Sequence, residues 1–294
     1  VAEGLKFPEG PVVMKDGSVI FVEIPKQAIT RLTPAGKLEH LVDCPGGPNG
    51  LAIGPDGALW IANNGGRFSF AMRDGFLYPG APPPGFAGGG RIMRYDLKKK
   101  TLATAYDMVG GKPMVAPDDL VFDKQGNMWV TELGITAGSG AIYFIGKGAK
   151  EAVLARGGMT GPNGIGVSPD GKLLHVSMGA AIYAYDITGP GKLETRTYPN
   201  NGLQGPLHEN SGADSLKVLA NGMVAGCSLS RPGGITLLTR DGKEDRFLGF
   251  PDRMTCNLAF GGKDMMDAWI CLSGRGQLVK VRFPYPGQVP PFTA

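Results

Sequence analysis

"GPNGIGVSPDG" (161–171) and "GPNGLAIGPDG" (47–57) are near copies of one another, and the plan they share recurs along the chain. "PEGPVVMKDG" (8–17), "APDDLVFDKQG" (116–126) and "GADSLKVLANG" (212–222) also run from a polar residue through an apolar alternation to a glycine-bearing turn. The offset from polar residue to turn glycine is eight every time: Glu9 to Gly17, Asn49 to Gly57, Asp118 to Gly126, Asn163 to Gly171, Asp214 to Gly222. A sixth copy, "TCNLAFGGKDMMDAWICL" (255–272), puts Asn257 in the same role with a less regular turn. Copies spaced roughly 40 to 70 residues apart are the sign of a propeller or similar array.

Each repeat reads as up to four short strands. In the fourth they fall near 163–168, 172–178, 180–187 and 191–199, and segments such as "ALWIAN" and "NMWVTE" are β-rich and half alternating. Helical periodicity is missing, while 48 glycines and 24 prolines supply many tight turns. The expected fold is therefore all-β: a six-bladed β-propeller formed by residues 1–294 as one domain, with blades starting near 9, 49, 118, 163, 214 and 257. Residues just before Glu9 ("LKF") are expected to complete the last blade, whose own strands end near "QLVKVRF".

Composition narrows the partners. A net charge of +4 without basic clusters gives no footing for nucleic acid, and Lys98–Lys100 reads as a solvated turn. No stretch reaches the roughly 18 apolar residues of a membrane span. The four cysteines fit no metal spacing. They are expected to be reduced, although Cys227 and Cys271, near second-strand ends of adjacent repeats, are possible neighbours. These features favour a cytoplasmic protein, monomeric or weakly self-associating, acting on a small molecule. No signal peptide is visible, and the missing initiator methionine leaves a cleaved one open.

Propeller geometry brings the six polar residues to one end of a central channel. The second strand returns to that end about fourteen residues later, adding Glu23, Asn63, Glu132, Ser177 and Ser228 as a second polar layer. Carboxylates from Glu9, Asp118 and Asp214 crowded together must protonate or share a cation. Oxygen donors suit one hard divalent ion in the channel, calcium first, with magnesium, manganese or zinc as alternatives. The plainer alternative is that Asn and Asp only form turns at the blade entrances. Glu9, no turn former, argues against that for the whole set.

The "EGP" at Glu9, "PDDL" at Asp118, "PNGI" at Asn163, "ADSL" at Asp214 and "NLAFGG" at Asn257 resemble the SMP-30/gluconolactonase/luciferin-regenerating-enzyme family, in order and over essentially the whole chain. The resemblance implies a six-bladed propeller with a divalent metal in the channel and, in many members, lactone hydrolysis. It carries the metal ligands onto Glu9, Asn163 and Asp214. A substrate-side asparagine, sometimes counted as a ligand, falls on Asp118, followed by the matching aspartate Asp119. Two departures stand out. Asp118 is a carboxylate where the family has an amide, and Ala116 stands where sugar-lactone members carry an arginine.

A long segment, 64–91, follows the second strand of the second repeat and carries Phe68, Phe70, Phe76, Tyr78 and Phe86. It reads as an aromatic lid over the site, or else as a loop folded back on its blade. A second insertion, "NNGLQGPLHENSG" (200–212), could bring His208 and Glu209 over the mouth, whereas His40 and His175 read as structural. The functional expectation is a metal-dependent lactonase favouring hydrophobic or aromatic over sugar lactones. Asp214 or Asp118 would be the general base, and Asp119, Asn49, Asn257, Glu132, His208, Phe68 and Phe70 would contact substrate. The rivals are phosphotriester or fluorophosphate hydrolysis on the same metal, and a non-catalytic propeller whose ion is structural.

Overall fold

The computed structural model describes residues 1–179, 181–196, 207–208, 212–229 and 232–294. Each repeat begins a separate antiparallel sheet, and its first strand is always the innermost: Pro8–Val13, Pro48–Ile53, Pro117–Phe122, Pro162–Val167, Ala213–Val218 and Thr255–Gly261. Every innermost strand packs against the next, and the sixth packs against the first. The protein is a six-bladed β-propeller.

The apolar residues explain why the blades stack. "VIFVE" (Val19–Glu23) is buried along its whole length because both faces of a blade meet a neighbour. Among the described residues, buried side chains form six clusters, one at each blade junction. Ile20, Ile29, Leu51 and Ile61 fill the junction of blades one and two, and Trp129, Ile142, Ile165 and Val176 that of blades three and four. Each such side chain contributes about 1.5–3 kcal/mol of burial, so the stability is distributed around the ring.

Closure differs slightly from expectation. The sixth sheet has three named strands, ending with Gln277–Arg282. Its outer edge is taken by Ala2, which exchanges two 3.0 Å backbone bonds with Leu278, and by Leu5, whose N–H reaches Gly276 O at 2.9 Å. The strap is thus centred upstream of "LKF". Phe7 instead turns inward in a left-handed conformation (φ 48°) and is buried.

Two features interrupt the regular plan. Within 64–91, Phe70–Arg73 and Phe76–Pro79 form a hairpin whose Asp74-Gly75 turn has positive φ at both residues (51° and 79°), the geometry that favours Asp-Gly. After the last strand, residues 288–293 run beneath the propeller across the far end of the channel, which the sequence reading did not foresee. Among the described residues the only helix is the short Ile24–Lys26 turn, and none is long and apolar enough to cross a membrane.

Candidate functional site

Every innermost strand breaks register with its partner just at or after the repeated polar residue. The shifts fall at Glu9/Val12, Pro48/Leu51, Pro117/Leu120, Pro162/Ile165, Ala213/Leu216 and Thr255/Asn257. A bulge re-aims the side chain beside it, and here it turns six polar side chains toward the axis. Asn49 and Asn163 therefore lie within strands and are not turn residues. The glycine that follows each serves close approach: a Cβ on Gly50 would lie 2.3 Å from Asp119 Oδ1, and one on Gly164 2.5 Å from Leu216 N.

The ring alternates acid and amide. Glu9, Asp118 and Asp214 stand on the odd blades, and Asn49, Asn163 and Asn257 on the even ones. Each amide donates to the acid of the next blade: Asn49 Nδ2 to Asp118 Oδ1 at 2.6 Å, Asn163 Nδ2 to Asp214 Oδ1 at 2.7 Å, Asn257 Nδ2 to Glu9 Oε2 at 2.8 Å. Hydroxyls on or just after the second strands hold the backbone of the following blade. Thr131 Oγ1 donates to Asn163 O at 2.5 Å, Ser177 Oγ donates to Asp214 O, and Ser273 Oγ donates to Pro8 O at 2.7 Å.

Charge is concentrated here. Burial, and then the Asp214 charge, push the Glu9 carboxyl up to about 8. Burial lifts Asp214 to about 6. Asp118 is driven well above the usual carboxylate range by burial, then by Asp214, Asp119 and Glu9. Glu9, Asp214 and the Cys256 thiol each offer a donor atom within 4.8 Å of the others. Cys256 was not foreseen and corrects the expectation of an oxygen-only ring; its place beside Asn257 was the available signal.

Over the ring opens a cavity of about 250 Å³. Its polar lining is Glu9, Asn49, Asn163, Asp214 and Ser215, and its walls include Phe7, Ile24, Phe68, Leu133, Leu229 and Met254. Ile24, Leu133 and Leu229 each follow a second-strand terminus (Glu23, Glu132, Ser228), so the apolar wall sits one residue beyond the polar layer read from sequence. The 64–91 insertion does reach over the mouth. Phe68 and Pro79 line the cavity, Phe70 packs on Phe7 at 5.2 Å, and Leu77 N–H bonds Gly274 O of blade six at 2.8 Å.

Several expected contacts lie elsewhere. The second polar layer faces backbone and not substrate: Glu132 accepts from Val115 N (3.0 Å), Ala116 N (2.5 Å) and Gly134 N (3.1 Å), and Asn63 from Gly47 N and Gly65 N. These N–H groups lie just outside the named strands, and the second-layer side chains satisfy them. His208 pairs its backbone with Ile182 and places Nδ1 3.0 Å from Gly242 O, away from the cavity lining; Glu209 lies outside the described residues. Asp118 and Asn257 are nearly inaccessible behind their partners, and Phe70 supports Phe7 without lining the cavity. Asp119 points down the channel, 3.9 Å from Lys217 Nζ. His175 is buried and held neutral, with burial lowering it to about 4, and all four cysteines are free and buried.

The residues fit a divalent cation. Several buried carboxylates face one another, and among the described residues no lysine, arginine or histidine lines the cavity. Such a cluster is costly without a counter-charge. Asn163 commits Nδ2 to Asp214, so its amide oxygen stays available beside the carboxylates.

Comparison with known proteins agrees with this architecture. The family model described as "SMP-30/Gluconolactonase/LRE-like region" matches residues 7–274. A gluconolactonase of Zymomonas mobilis is 25% identical, over 96% of this chain and 80% of its own. Among solved structures, a gluconolactonase of Xanthomonas campestris superposes with a TM-score of 0.73 at 17% identity, covering 96% of this chain and 88% of that one. A calcium-binding regucalcin of Agrobacterium tumefaciens gives 0.69 at 16% identity, with 97% and 95% covered.

Proposed function

Because the chain belongs to the SMP-30/gluconolactonase/LRE-like family, we propose that it is a divalent-metal-dependent lactonase whose substrates are hydrophobic or aromatic cyclic esters. The observation that carries this reading is an acidic floor under an apolar wall in one cavity. The gluconolactonase relative supports the reaction class. The wall of Phe7, Ile24, Phe68, Leu133, Leu229 and Met254 supports the substrate class, because it offers a polyol few hydrogen bonds and an apolar ring much area.

Glu9, Asn163 and Asp214 would hold the ion, calcium first, and Cys256 gives a softer ion such as zinc one sulfur donor. When bound, the ion supplies Lewis acidity to the ester carbonyl. Asp214 lines the cavity and is oriented by Asn163 Nδ2 at 2.7 Å, so its carboxylate takes the proton of the attacking water. Water oxygen bonds the carbonyl carbon, the ring C–O bond breaks, and the proton returns to the leaving alkoxide to give a hydroxy acid. Asp118, buried and bound by Asn49, acts through charge and not as the base. Phe68 and Pro79 cover the bound ring and exclude bulk water.

The protein would act on its small molecule in the cytoplasm, consistent with four unpaired thiols, as a monomer or weak oligomer. A substrate panel tests the reading. Chelated and calcium-reloaded protein is assayed on an aryl lactone, gluconolactone and a phosphotriester, and the reading requires calcium-dependent opening of the aryl lactone as the fastest reaction.

A further inference from the structure

The far end of the channel holds a second cavity, of about 150 Å³, on the side away from the acidic ring. The C-terminal halves of the innermost strands line it, through residues such as Val13, Ile53, Phe122, Val167 and Phe260. Residues 288–293 close it from below. That segment is held by Lys15 N–H to Ala294 O at 3.0 Å and by Phe292 edge-on to Phe122 at 6.0 Å.

Two observations mark it as more than a packing gap. Val12, Val13, Ala52 and Val121 are only half-buried although they lie on innermost strands, so apolar surface faces unfilled space. Lys217 also borders the chamber and keeps 29% of its side chain accessible deep within the propeller. Among the described residues its one ionic partner is Asp119 Oδ2 at 3.9 Å, a buried oxygen that has no hydrogen-bond partner there. Among the described residues no acceptor lies within hydrogen-bond distance of Lys217 Nζ.

We propose that this chamber is a second ligand site for a small neutral ring-sized molecule carrying one oxygen acceptor, which Lys217 Nζ hydrogen-bonds. A largely apolar cavity of about this volume has room for a benzene-sized guest. The ligand is neutral because Asp119 already balances Lys217. One polar group in an apolar chamber fixes orientation, and here that group is an ammonium, so the guest presents an acceptor. This assignment does not rest on the lactonase reading.

The test uses the full-length protein with benzene and phenol as probes, followed by methyl-resolved NMR. Both should saturate one site and shift Ile53, Val121, Val167 and Val218. Phenol should bind about tenfold more tightly, the worth of one hydrogen bond to a charged donor. Lys217→Met should erase that preference while benzene affinity stays, and Ala52→Phe, which fills the chamber, should abolish both. If Ala52→Phe does not fold, xenon-pressurised crystals of the unaltered protein replace it, with density expected between Ile53, Phe122 and Val167. Shifts confined to Ile24, Leu133, Leu229 and Met254, equal affinity for the two probes, or a chamber empty of xenon would each overturn the proposal.

Discussion

Asn163 Nδ2 lies 2.7 Å from Asp214 Oδ1, joining the innermost strands of blades four and five at the floor of the cavity. The bond orients the carboxylate proposed as base and turns the amide oxygen of Asn163 toward the proposed cation. Asn163→Ala should therefore lower calcium affinity at least about tenfold while the melting temperature of the metal-free protein changes little. Metal content and thermal melts measured on the same samples check this; unchanged occupancy with lost stability would make Asn163 structural only.

Asp214→Asn keeps the size and the Asn163 contact but removes the proton acceptor. Turnover should fall by on the order of 10³-fold, with a smaller loss of metal affinity than in Asp214→Ala. Single-turnover rates at saturating calcium separate the two effects. A rate near that of the unaltered protein would shift the base to another group.

Metal-free protein should have an unusual pH dependence. The folded state holds protons on Glu9 to about 8 and on Asp214 to about 6, whereas the unfolded chain releases them near 4. The native state thus binds more protons between these values, and stability falls as pH rises. It should be highest near pH 4–5, decline through pH 6, and be lost progressively to about pH 8. Calcium should abolish the decline by replacing those protons. Chemical denaturation across this range, with and without calcium, reads it out; flat stability in the metal-free protein would contradict it.

Gly50→Ala and Gly164→Ala should each destabilise the fold by about 3 kcal/mol. The added methyl would sit 2.3 Å from Asp119 Oδ1 in the first and 2.5 Å from Leu216 N in the second. Urea unfolding measures both.

The fold was legible because a constant offset of eight, repeated around the chain, leaves few architectures open. The acidic ring was legible for the same reason: the repeated position marks the start of each innermost strand. What the repeat did not carry was direction. A register break at each ring residue decides which side chain meets the channel, and it is set by how the two strands pair. Glu132 has the register of a substrate contact, yet its carboxylate is consumed by the N–H groups of Val115, Ala116 and Gly134. His208 was assigned from loop position alone, which says little about where a side chain docks. Cys256 is peculiar to the sixth copy and the tail over the far mouth belongs to no repeat, and only three-dimensional closure brings them to the channel.

Phe68 tests the lid. Phe68→Ala should raise KM for an aryl lactone about fivefold to tenfold, the loss expected for an aromatic contact of that size. It should barely change KM for gluconolactone, and kcat should move less than KM. Equal effects on both substrates would mean that Phe68 supports the loop and not the bound ring.

The proposed lactonase activity requires an ion held by the acidic ring. The most direct measurement is a calcium titration of chelator-stripped protein, with ion binding followed by calorimetry and aryl-lactone turnover recorded on the same samples. One site should appear, turnover should rise in proportion to its occupancy, and both should be lost in Asp214→Ala. Lactone opening at full rate without the ion, or a saturated site that raises the melting temperature and opens no lactone, would contradict it.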